Sequence, residues 1–188
     1  CDADLSKRDD LNDGTGRTSK KECVLPDVML SSLKRINPTI EEDKIKEIAK
    51  TLRQDYSGTD VVDTNYKLYR QIRNNIKISI RRNGKEDFDF VKLIDFEHPE
   101  NNTFTAVSQM WIQGKVYYRR PDILIFINGM PLGFIELKNS IVKVEEAYNK
   151  NLKDYIRDIP NLFAFNHICV LSNGLETKLG AFNATYDY

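Results

Sequence analysis

The string RRPDILIFINGMPLGFIELKNS, from Arg119 to Ser140, constrains this chain more than any other stretch. Two apolar runs flank Asn128-Gly129, a dipeptide suited to the left-handed conformations of a two-residue hairpin turn. The pattern predicts one strand over Asp122 to Ile127 and a second over Leu132 to Lys138. Both are apolar at nearly every position, as expected of central strands covered on both faces. Asp122, Glu136 and Lys138 interrupt that pattern. Such groups are rarely buried unless paired or bound to a metal, because desolvating an isolated charge is very costly.

Side chains alternate along a strand, so Glu136 and Lys138 share a face. A loop of two to four residues would pair Asp122 with position 135, 136 or 137, bringing all three charges to one end of the hairpin. Two carboxylates that close repel, and each resists ionising. A divalent cation between them, with the lysine alongside, relieves the conflict. Magnesium binds through one or two carboxylates plus substrate phosphate. The trio therefore predicts a site with a metal, an ammonium and room for a phosphate.

Pro121-Asp122, thirteen intervening residues and Glu136-Leu137-Lys138 resemble the PD-(D/E)xK nuclease signature. The longer string is similar to the amino-terminal nuclease domain of the R (restriction) subunit of type I restriction enzymes. Other segments resemble the same family: Leu25-Pro26 with Leu33 and Ile36-Asn37-Pro38, then Ile94-Asp95-Phe96 with Pro99 to Phe104. Ile159 to Phe163 and Ser172-Asn173-Gly174 resemble its closing segment. The resemblance runs from about Leu25 to the carboxyl end.

It implies an α/β, restriction-endonuclease-like core: a mixed, mostly antiparallel sheet flanked by helices. It also implies that Asp122, Glu136 and the Leu137 carbonyl hold Mg²⁺, and that Lys138 orients a water against a phosphodiester of double-stranded DNA. In that family the modification and specificity subunits are separate partners, and ATP drives motor domains further along the same chain. No P-loop occurs in these 188 residues, so ATP would act only through domains absent here. The family carries a Gln-x-x-x-Tyr pair on the helix after the hairpin, and Asn151 and Tyr155 occupy the matching positions. It also opens with a helix bearing a glutamate at the metal site, for which residues 1–22 show no counterpart. Two other readings fit the trio: a repair or junction nuclease of the same motif, and a non-catalytic docking module held by an ion-pair cluster.

The rest of the chain bounds the function further. With 28 basic and 28 acidic residues, no net positive field draws the whole chain to nucleic acid, so contact must come from a local patch. Arg119 and Arg120, directly before the acidic site, are the expected phosphate contacts. Arg81, Arg82 and Lys115 read as charges blunting strand edges. Cys1, Cys23 and Cys169 lack metal-ligand spacing, which argues against zinc and for a reducing cytoplasm. No apolar run approaches the roughly 20 residues of a membrane span. A chain starting at Cys1 without a signal peptide reads as a processed product or fragment.

Residues 1–22 are polar and read as a flexible leader, with the nuclease domain over 23–188. Helices are expected over Pro26–Arg35, from Thr39 through Leu52, over about Thr64–Ile76, and over Val144–Arg157. Tyr66 and Tyr69, at helical spacing, are expected in the core, although tyrosines can also stack on bases. Ile76 to Tyr118 alternates and turns at Asn83-Gly84 and Gly114-Lys115, predicting hairpins that continue into one antiparallel meander. His167 to Leu171 is expected as a final central strand, with His167 at its end and not a ligand.

Overall fold

The structure, a computed structural model, describes residues 7–82 and 84–186. Helix α1 (Pro26–Ile36) starts on a proline, whose missing N–H costs nothing in the first turn, and it buries Met29, Leu33 and Ile36. Asn37 ends it, its side-chain amide donating to the Leu33 and Lys92 carbonyls at 2.9 Å each. Helix α2 (Glu42–Leu52) begins three residues later than expected. A turn in which the Ile40 N–H reaches the Asn37 carbonyl uses up Thr39.

Helix α3 (Val61–Asn74) begins and ends earlier than expected. The Asp60 side chain caps it by accepting from the Asp63 N–H, and Asn75 turns left-handed at φ 62° to end it. Tyr66 and Tyr69 are not core residues. They are 58 % and 41 % exposed, because Thr64, Leu68 and Ile72 are the positions that face inward.

The expected single meander is divided into separate sheets. β1 (Ile76–Arg82) and β2 (Lys85–Val91) pair only with each other, and Asn83 of their connection lies outside the described residues. β4 (Ile112–Gln113) and β5 (Tyr118–Arg119) form a second short ladder. The central sheet has the order β3 (Phe104–Ser108), β6 (Ile123–Ile127), β7 (Met130–Leu137), β8 (Ile168–Ser172), β9 (Thr177–Gly180). Its pairs are antiparallel except β7 with β8, which run parallel, so the sheet is mixed. A parallel neighbour needs a crossover. Helix α4 (Val144–Glu146), a π-helical segment (Ala147–Leu152), α5 (Lys153–Asp158) and α6 (Pro160–Phe163) supply it.

The β6–β7 turn is Asn128-Gly129, with φ 50° and 78°. It is buried, unlike an ordinary hairpin tip. Asn128 donates to the Leu93 carbonyl at 2.9 Å and to Asn102 at 2.8 Å, and accepts from the Thr103 N–H at 2.8 Å. Asn102 in turn bridges the N–H and carbonyl of Asp95. Thus the segments around residues 95 and 99–104 hold the turn. Helix α1 caps it, the Leu25 N–H donating to the Gly129 carbonyl at 2.9 Å.

Two apolar clusters follow from this geometry. One joins α1–α3 to Val91, Leu93, Met130 and Leu132 at the turn end. The other packs Leu124, Phe126, Phe134, Cys169 and Leu171 against the crossover helices. Neither includes Ile123, Ile125 or Ile135. Strand β6 accordingly alternates between buried and half-buried, so only one face of it is fully covered.

Residues 7–22 contain almost no regular structure, yet they are fastened to the domain. Arg17 is buried and donates to Thr15, Asp13, the Glu22 carbonyl and the Trp111 carbonyl. Glu22 pairs with Arg53.

A Cβ on Gly129 would sit 2.6 Å from the Leu25 oxygen and 2.7 Å from the Met29 nitrogen. Gly174, at φ 84°, has nothing within 4 Å of that position. Gly174→Ala should therefore cost only backbone strain, about 1 kcal/mol. Gly129→Ala should cost at least about 3 kcal/mol, strain plus displaced backbone. Urea midpoints of the two variants check this, and equal losses would contradict the role given to the buried turn.

Candidate active site

The trio lies where the hairpin leaves the turn's control and meets β8. The register pairs Ile123 with Ile135, so Asp122 falls opposite Glu136. The Leu137 N–H donates to Asp122 Oδ2 at 2.8 Å, and the Gln109 N–H donates to the Asp122 carbonyl at 2.8 Å. Asp122 is thus fixed from both neighbouring strands. Gln109 takes φ 54° to make its bond, a requirement that nothing in the sequence announces.

Glu136 is only 2 % exposed. Lys138 Nζ donates to its Oε1 at 2.9 Å, and Asn151 Nδ2 donates to the same oxygen at 2.7 Å. The shorter amide therefore reaches the carboxylate. Oε2 is buried and has no hydrogen-bond partner among the described residues. Burial pushes the Glu136 carboxyl above its usual range; the Lys138 ammonium pulls it back, and Asp122 pushes it up again.

Asn151 sits in the π-helical segment, whose wider turn re-aims side chains and recurs at functional sites. Tyr155 follows in α5, packed edge-on to Phe134 with its hydroxyl 3.4 Å from the Arg120 carbonyl. Burial and the nearby Glu136 charge hold that hydroxyl well above its ordinary range. Tyr155 thus belongs to the core and borders the site at once.

The two arginines separate. Arg119 is clasped by Asp158 and reaches Asp154 at 3.3 Å, which makes it a fastener of β5 to α5. Arg120 instead lies over the Trp111 ring, 5.4 Å from its centroid. Sequence reasoning missed the Asp158 clasp because the two partners are 39 residues apart. Cys23 and Cys169 are buried thiols pushed up to about 12 by desolvation, and Cys1 lies outside the described residues. His167 precedes β8, its Nδ1 2.6 Å from the Phe165 carbonyl.

Among the described residues, no three His, Cys, Asp or Glu side chains cluster as a metal cage. The residues present nevertheless fit a hard divalent cation. Two carboxylates face each other, and one presents a buried oxygen without a partner, which a cation would satisfy. Magnesium commonly takes its remaining ligands from water, a carbonyl and substrate phosphate.

The sequence model of the family described as "Type I restriction enzyme R protein N terminus" matches residues 4–188. The chain belongs to that family. Membership extends the likeness across residues 4–24, ahead of the segments from Leu25 onward. The chain is 33 % identical over 181 residues to a Methanocaldococcus jannaschii protein provisionally named type I restriction enzyme MjaIXP endonuclease subunit. It is 30 % identical over 167 residues to the type I restriction enzyme HindI endonuclease subunit of Haemophilus influenzae. The matches cover 91 % and 87 % of this chain but 17 % and 16 % of those relatives. A staphylococcal relative, the SsaAORF53P endonuclease subunit of Staphylococcus saprophyticus, is 28 % identical over 54 % of the chain and 11 % of its own length. No helix among the described residues is long and apolar enough to cross a membrane.

The raised Glu136 carboxyl has a pH signature. Above the ordinary glutamate value of 4.5, the metal-free folded state still holds a proton that the unfolded chain has released. Stability therefore falls as pH rises through the folded value. Glu136→Gln removes this slope. Urea unfolding of both proteins in chelator should show the variant gaining on wild type between about pH 4 and about pH 8. A constant difference across that range would deny the burial cost.

Proposed function

We propose that this family member is a magnesium-dependent nuclease domain with a PD-(D/E)xK core, cleaving phosphodiester bonds of double-stranded DNA as part of a type I restriction enzyme R subunit. One observation carries the reading: Asp122 and Glu136 oppose each other beside Lys138, and Glu136 keeps one buried oxygen unpartnered. A purely structural ion-pair cluster would satisfy that oxygen, because an unmet buried acceptor costs stability.

Asp122, Glu136 and the Leu137 carbonyl would hold Mg²⁺. When bound, the ion lowers the pKa of a coordinated water and offsets charge growing on the phosphate. Lys138, which already rests on Glu136, orients the attacking water and neutralises the pentavalent phosphorus oxygens. Asn151 keeps Glu136 in place, and Tyr155 fixes the strand that enters at Arg120. With Arg119 clasped by Asp158, phosphate contact falls to Arg120. In the complete cytoplasmic enzyme, modification and specificity subunits would choose the site, and ATP would drive motor domains outside this chain.

Calorimetry with Mg²⁺ or Mn²⁺ tests the metal. Asp122→Ala and Glu136→Ala should each abolish binding while leaving metal-free stability equal or slightly higher, since one repelling carboxylate is gone. Unchanged affinity in both variants would sink the site. Lys138→Ala should bind metal nearly as wild type, yet cut DNA cleavage by at least ~100-fold in the complete enzyme. Cleavage at wild-type rate would remove Lys138 from the chemistry.

A further inference from the structure

Beside the Asp122 centre lies a cavity of about 250 Å³, lined by Lys7, Asp13, Lys20, Gln109, Trp111 and Arg120 among others. The geometry points to this cavity as an anion subsite that takes a phosphate of the DNA strand flanking the scissile one. The inference rests on the nuclease reading above and extends it to a position on the substrate.

Charge comes first. Three cations and one carboxylate line the cavity. That carboxylate is already shared, since Asp13 Oδ2 accepts from Lys20 Nζ at 2.7 Å and from Arg17 at 2.8 Å, and Thr15 donates to Oδ1. The Arg17 side chain is fully buried and that of Lys20 nearly so, so one negative charge answers two desolvated positive ones. Glu22 is engaged by Arg53 and Thr18, and Asp9 pairs with Arg8 while lying within electrostatic reach of Lys20. Arg17 is satisfied by Thr15 and two carbonyls. Arg120 rests on an indole with no carboxylate partner among the described residues, and Lys20 has only a share of Asp13, which it divides with Arg17. A half-buried cation without a counter-ion, beside one carboxylate shared by two buried cations, leaves positive charge that a bound anion offsets.

Position comes second. Gln109 lines the cavity and also donates its N–H to the Asp122 carbonyl, while Arg120 stands two residues before Asp122. The Tyr155 hydroxyl, which borders Glu136, reaches the Arg120 carbonyl. The cavity and the carboxylates thus share a wall. The Trp111 ring holds the Arg120 guanidinium in place, so little side-chain freedom is lost when it meets an oxyanion. The volume is below the roughly 300–1,000 Å³ of pockets for drug-sized ligands, but it suits a phosphate group.

The test is binding of a 20-base-pair duplex in chelator, so that no cleavage occurs, followed by fluorescence anisotropy from low to high salt. Arg120→Gln and Lys20→Gln should each weaken binding about fivefold to tenfold at low salt and flatten the log–log salt slope by about one. Lys20→Arg keeps the charge and should bind as wild type, which guards against a misfolded Lys20→Gln. Inorganic pyrophosphate should compete with the duplex less well in the Arg120→Gln chain. If wild type binds the duplex and Arg120→Gln leaves the slope unchanged, the subsite falls while the nuclease reading stands. If wild type binds no duplex at any salt concentration but still binds metal, the DNA reading and the subsite fall together.

Discussion

A buried two-residue turn sets the position of Asp122, Glu136 and Lys138 in this domain. Strand register has a period of two, so a one-residue slip between β6 and β7 would send Glu136 to the opposite face of the sheet. Asn128 and Gly129 prevent the slip because both sit left-handed against α1 and the Asn102 network. The turn cannot shift by one residue without placing a Cβ against the Leu25 and Met29 backbone. The bulge between Ile125 and Phe126 then adds one residue to β7, so Leu132 joins the turn-end cluster while Phe134 and Glu136 face the crossover helices. Register, bulge and turn together decide which carboxylate meets which.

The hairpin was legible because its signals are local: an Asn-Gly pair, two apolar runs and three charges with fixed spacing. Helix α1 was legible for the same reason, from Pro26 and the Asn37-Pro38 stop. What failed depended on distant partners. Alternation over Ile76 to Val91 predicts strands but cannot tell that β1 and β2 pair only with each other. Tyr66 and Tyr69 lie near apolar residues in sequence, yet Thr64, Leu68 and Ile72 set the buried face roughly a quarter turn from Tyr69 and nearly half a turn from Tyr66. Residues 7–22 are polar in sequence, yet Arg17 reaches the Trp111 carbonyl and Glu22 pairs with Arg53 across the fold. That Asp122, Glu136 and Lys138 would come together could be read from spacing. The π-helical turn that carries Asn151 toward Glu136 could not, since its five-residue ladder leaves no mark in composition.

Glu136 shows how such a site sets itself against stability. A nearly buried carboxylate is raised in pKa by desolvation, and Lys138 and Asn151 both donate to the same oxygen. Moving one donor to Oε2 would satisfy both oxygens and stabilise the resting fold. The arrangement instead leaves Oε2 buried without a hydrogen-bond partner among the described residues. Buried groups left short of partners are costly, and natural proteins tolerate them chiefly where they act. The fold is in that sense unsatisfied at one atom, and under the proposed reading the opposed Asp122 would make a cation the group that satisfies it.

Strand alternation also explains why neighbouring arginines take different work. Arg119 is the last residue of β5 and pairs with Ile112, with its side chain toward α5 and Asp158. The next side chain must point the other way, so Arg120 meets Trp111, which continues the same register one step past Ile112. A guanidinium held by carboxylates joins sheet to helix and is lost to a substrate. One held by an indole keeps its charge and its N–H donors free for an anion. With 28 positive and 28 negative residues, the chain offers DNA no long-range attraction as a whole. Under the proposed reading, DNA contact would fall to local cations, and the step from Arg119 to Arg120 is where the backbone turns one away from the carboxylates of α5.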